Sequence, residues 1–177
     1  MSTTTSVTSA DPGLVILRIG ERQAQLLDGS DGEDGMPAAL LPIGFLFPGV
    51  VLAHSPPTPR ELEDAIAAVE DVLMPLASVL PRAGRLASAD ALASRLAALD
   101  TGRAGPGEMI GIEAVERLFN DMAAVAQGRP SAGSPFLDQA LCGYLLILRE
   151  FMHHLGFAQV LVRPPAAAEG PKPLTFS

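Results

Sequence analysis

Glu150, His153 and His154 stand together near the end of a long apolar stretch, and by type and spacing they are the side chains best suited to hold a metal ion. A Glu-x-x-His step places a carboxylate and an imidazole on one face of a helix, as in di-iron carboxylate bundles. Those bundles use two such steps and two further glutamates. This chain contains the step once, so a dimer would have to bring two copies to a symmetry axis, or Asp138 or His54 would have to add a ligand. A plainer reading also holds: imidazoles in a last helical turn favour the negative end of the helix dipole.

Other chemistry is sparse. The uncharged segment from Leu40 to His54 offers a second candidate, an apolar binding wall formed by Phe45 and Phe47 with His54 at its edge, although core strand is the favoured reading. No Gly-x-Ser-x-Gly turn is present, and the lone Cys142 lies among Leu141, Gly143, Tyr144 and Leu145, which reads as a buried thiol rather than a nucleophile. Gly102, Gly105 and Gly107 fall between two predicted helices, so they read as a connection and not as a phosphate-cradling loop. The acidic run from Asp28 to Gly35 lacks the alternation of a calcium loop and reads as a solvated turn.

The composition narrows the function classes. A net charge of −8 argues against nucleic-acid binding through phosphate neutralisation. The stretch holding Arg82, Arg85, Arg95 and Arg103 is interspersed with Asp90 and Asp100, and reads as a solvated face. Apolar residues make up 48% of the chain and charged residues 18%, which suggests that some apolar surface lies in an interface. The start, MSTTTSVTSADPG, has neither the cationic lead nor the apolar run of a signal peptide, and with a single cysteine this points to the cytoplasm. Met36 to Pro59 is uncharged, but Pro37, Pro42, Pro48, Pro56 and Pro57 would break the hydrogen bonding of a membrane-spanning helix.

These residues must be positioned by a small set of elements. Leu14–Ile19 and Arg22–Leu27, joined by Gly20-Glu21, predict a hairpin. Thr58-Pro59-Arg60-Glu61 is a helix start with a capping box, followed by Leu62, Ile66, Val69 and Leu73 on one face. Ser88 is expected to cap a shorter helix carrying Leu92, Leu96 and Leu99. A third helix spans about Ile112 to Gln127. The fourth, Phe136 to Leu155 behind a Ser134 cap, is apolar all round from Ala140 to Leu148, so it must be enclosed on every side. Phe157 to Val162 predicts a last strand.

The expected architecture is therefore α+β: a small antiparallel sheet, made by the N-terminal hairpin and the C-terminal strand, packed with about four helices. Residues 1–13 read as a flexible lead-in, 14–163 as a single domain and 164–177 as a loosely held tail. No catalytic constellation stands out, and no cofactor is implied. The leading expectation is a non-enzymatic homodimeric binding, accessory or assembly protein acting through apolar surface. The alternative is a metal-dependent enzyme or metal sensor using Glu150, His153 and His154.

Overall fold

The structure, a computed structural model, describes residues 13–29, 37–46, 52–76 and 84–164. It has an α+β fold in which four α-helices pack with a six-stranded sheet. The strands are β1 (Leu14–Ile19), β2 (Ala24–Asp28), β3 (Ala39–Leu41), β4 (Arg85–Ser88), β5 (Met109–Gly111) and β6 (Gln159–Val162), in the order β3-β2-β1-β4-β6-β5. The expectation of a small antiparallel sheet needs correction, because the sheet is mixed. β2 pairs antiparallel with β1 and β3, and β5 antiparallel with β6, whereas β4 lies between β1 and β6 and is parallel to both.

The parallel centre follows from the connections. Parallel neighbours need a crossover, and here α1 (Pro59–Leu73) lies between β3 and β4 while α2 (Ala91–Thr101), α3 (Ile112–Ala126) and α4 (Gln139–Leu155) lie between β4 and β6. Both crossovers step the same way across the sheet, and right-handed connections then put the helices on one face. That face presents Leu17, Ile19, Leu26, Leu86, Ile110, Val160 and Val162 to the main core. Ile16, Leu27 and Ala87 share the opposite face through the strand register and are also buried.

α4 runs through the middle of the core. It packs against α1 on one side and α3 on the other, and every residue from Leu141 to Leu148 is buried. The enclosure is provided within the chain itself, so the all-round apolar character of this helix needs no second subunit to explain it. Its start differs from the expected Ser134 cap: Pro135–Leu137 forms one 3-10 turn, and Asp138 caps α4 by accepting from the N–H groups of Ala140 and Leu141. Gly156, at φ 75, ends it in the left-handed conformation that glycine adopts without Cβ strain.

α1 begins as its sequence predicts. Glu61 N–H donates to Thr58 Oγ1 at 3.2 Å, and Thr58 N–H donates to Glu61 Oε2 at 2.8 Å. Asp90 rather than Ser88 is the residue at the N-terminal boundary of α2, its side chain making no capping hydrogen bond, and the buried residues of the helix are Ala93, Leu96 and Ala97. Among the described residues no helix is long and apolar enough to cross a membrane.

Candidate functional site at the carboxyl ends of the central strands

In sheets with parallel crossovers, ligands favour the crevice beyond the carboxyl ends of the strands. In this chain that edge is formed by the β1–β2 turn, the segment after β3, and the residues that follow β4. The turn is tightly fixed. Gly20 N–H donates to Gln23 O at 2.9 Å, Phe45 N–H to Gly20 O at 3.1 Å, and Leu46 N–H to Glu21 O at 2.9 Å. Gly44 permits this stacking, because a Cβ there would lie 2.5 Å from Arg22 N and Glu21 O. On the other side, a Cβ on Gly143 of α4 would lie 2.5 Å from Phe45 O.

Against this frame stands a chain of polar side chains in a largely apolar surrounding. Ser88, fully buried at the end of β4, lies 3.1 Å from the Tyr144 hydroxyl, and Tyr144 in turn donates to Asp90 Oδ2 at 3.1 Å. The same Oδ2 accepts from Ile19 N–H at 2.8 Å, so the carboxylate ties the end of β1 to α4. Burial pushes the Asp90 carboxyl above its ordinary value; the hydrogen bonds from Ile19, Ser88 and Tyr144 and the charge of Arg18 offset part of that rise. Burial also keeps the Tyr144 phenol protonated well above its usual range.

Asp90 opens into a cleft of about 290 Å³ that it lines with Arg18, Ile19, Gly20, Gln23 and Gln25. The arrangement combines a carboxylate whose pKa is raised by burial, a positive charge, and two amides able to donate or accept. These are the parts a hydrolytic site needs: a base for water, and polar groups that hold an anionic substrate.

The sequence-predicted residues lie elsewhere. Phe45 is partly buried against the core beside the β1–β2 turn, and Phe47 lies outside the described residues. His54 is 69% exposed on its side chain, with Nδ1 2.9 Å from Glu61 Oε1. Asp138 is taken up by the α4 cap and by Arg95 at 2.7 Å. Of the predicted metal set, His153 turns away to Glu116. Glu150 and His154 do come together, joined by Glu70 of α1. The Cys142 thiol is buried, donates to Phe136 O at 3.3 Å, and is pushed by burial up to about 12. Most of the acidic run from Asp28 to Gly35 is outside the described residues.

Asp90 was missed because nothing local marks it. Its partners stand 71 and 54 residues away in the chain. One signal was available: a short apolar run, Leu86-Ala87, leading through Ser88 and Asp90 straight into a helix, which is how a parallel strand delivers a polar side chain to the sheet edge.

No family model and no curated protein matches the chain. Solved structures do. The Ppx/GppA enzyme of Aquifex aeolicus aligns with a TM-score of 0.62 at 13% identity over 85% of this chain and 53% of that one. An exopolyphosphatase from Cytophaga hutchinsonii aligns with a TM-score of 0.62 at 16% identity over 89% and 56%. An exopolyphosphatase-like protein gives 0.65 at 12% identity over 92% and 58%. The chain thus spans somewhat more than half the length of these structures. They overturn the expectation of a non-enzymatic homodimeric accessory protein acting through apolar surface: the neighbours of this fold are phosphatases, and the apolar helix that prompted the expectation is enclosed within the chain. At these identities the likeness establishes the fold that this chain shares with Ppx/GppA phosphatases.

Proposed function

We propose that the chain carries a hydrolytic site of phosphatase type at the carboxyl ends of β1 and β4, with Asp90 as its general base. The observation that carries the reading is the Asp90 carboxylate itself: raised by burial, held by Ile19 and Tyr144, and facing a cleft that also contains Arg18. The exopolyphosphatase named among the structural neighbours supports a polyphosphate-like substrate.

In the proposed step Asp90 takes a proton from a water molecule in the cleft. The water oxygen forms a bond to a terminal phosphorus, the bridging P–O bond breaks, and its electron pair leaves on the oxygen of the shortened chain. Arg18 offsets charge on the phosphoryl oxygens, while Gln23 and Gln25 orient them. Tyr144 and Ser88 are positioning residues, acting through Asp90. Residues 14–163 form the proposed working unit, and the single buried cysteine supports a cytoplasmic setting.

Release of inorganic phosphate from inorganic polyphosphate tests the reading. Asp90→Asn is expected to lower the rate by about 10²–10⁴-fold, the usual worth of a general base. No release by the native protein, or an undiminished rate in the variant, would remove it.

A further inference from the structure

α1 and α4 lie side by side and run the same way. Gln139 at the start of α4 reaches the His54 carbonyl just ahead of α1 at 3.5 Å, and His154 near the end of α4 meets Glu70 near the end of α1 at 3.4 Å. The second meeting lies ten residues beyond Tyr144, about 15 Å along the helix axis, so it is separate from the Asp90 cleft.

Three side chains converge there. Glu150 is 3% exposed, and its two oxygens have different fates. Oε1 accepts from Arg149 Nη1 at 2.5 Å. Oε2 faces His154 Nε2 at 3.5 Å, in the same cluster as Glu70. A buried carboxylate brought up to an imidazole and a second carboxylate is a donor set of oxygens and a nitrogen that a divalent cation between them would satisfy.

The spacing fits one. Nε2 of His154 stands 3.4 Å from Glu70 Oε1 and 3.5 Å from Glu150 Oε2, too long for good direct hydrogen bonds. Metal–ligand bonds of roughly 2.0–2.2 Å place the corners of a tetrahedron about 3.3–3.6 Å apart. All three ligand atoms lie within 4.8 Å of one another.

We infer that Glu70, Glu150 and His154 form a site for a first-row divalent cation of the zinc kind, with the fourth position open to water. Arg149 fixes the ligating carboxylate through its other oxygen, and the ion links the ends of α1 and α4. His153 takes no part, because it is bound to Glu116. The inference is independent of the phosphatase reading, since it uses none of the cleft residues.

The test is a titration of chelator-treated protein with zinc sulfate, followed by calorimetry and by metal analysis after desalting. One zinc per chain is expected, with a melting temperature that climbs with zinc concentration. Glu70→Gln and His154→Gln replace side chains that are 43% and 28% exposed, so folding is retained. Each should weaken binding by more than the roughly 10–100-fold that loss of a supporting outer group costs. His153→Ala should keep the metal. Absence of saturable binding, or loss in His153→Ala with retention in Glu70→Gln, would overturn the site.

Discussion

Tyr144 donates its hydroxyl to the Asp90 carboxylate at 3.1 Å, so the most enclosed helix of the fold reaches the edge of the sheet through one phenol. The bond joins a fully buried side chain to a partly buried acid, and hydrogen bonds to a charged group contribute about 1.5–3 kcal/mol. Tyr144→Phe should therefore lower stability by about that much in urea titration. It should also leave Asp90 with less support for its charged form, shifting its pKa further upward.

Asp90→Asn should give the opposite sign in stability. A carboxyl whose folded pKa is raised carries a penalty at neutral pH that fades as the pH falls through that pKa. An amide oxygen in place of Oδ2 can still accept from Ile19 N–H and Tyr144, so the bonds survive while the cost of burying charge disappears. Thermal melting at pH 7 should show the variant at or above the native temperature, and the difference should shrink in acid. Active sites commonly trade stability for function in this way.

Gly143→Ala sets two effects against each other. Alanine in a helix interior gains about 1 kcal/mol over glycine. Its Cβ would stand 2.5 Å from the Phe45 carbonyl oxygen, a backbone atom fixed by the β1–β2 turn, and overpacking of this kind costs about 1–3 kcal/mol. The clash should win, and the variant should melt below the native protein.

Acid stability should depend on Glu61. Burial alone would raise its carboxyl, but bonds from Thr58, His54 and Ala53 outweigh that and hold it at about 2, against an ordinary 4.5. A lowered pKa contributes stability that is complete above 4.5 and lost as the pH falls toward 2. Glu61→Gln should flatten the stability curve across that window, measured by denaturation at stepped pH.

What the sequence revealed, and what it hid, divides along the range of the interactions. α1 was legible because Thr58, Pro59, Glu61 and the apolar spacing all speak within a few turns, and α3 for the same reason. β4 and β5 escaped notice because runs such as Arg85–Ser88 are too short for a two-residue period to show, and β3 fell only at the start of the broader core-strand reading from Leu40 to His54. Missing them hid the parallel centre of the sheet, and with it the edge where Asp90 stands. At the end of α4 the sequence favoured His153, three residues from Glu150. The fold selects His154, four residues away, because Glu70 arrives on that side from α1. No local pattern in α4 contains that choice.

The pH dependence of phosphate release from inorganic polyphosphate tests the central claim most directly. The native protein should show kcat/KM rising along a limb whose apparent pKa lies above that of an ordinary aspartate, and Tyr144→Phe should move the limb to higher pH. A limb at the ordinary carboxylate position that Tyr144→Phe leaves in place would contradict Asp90 as the base.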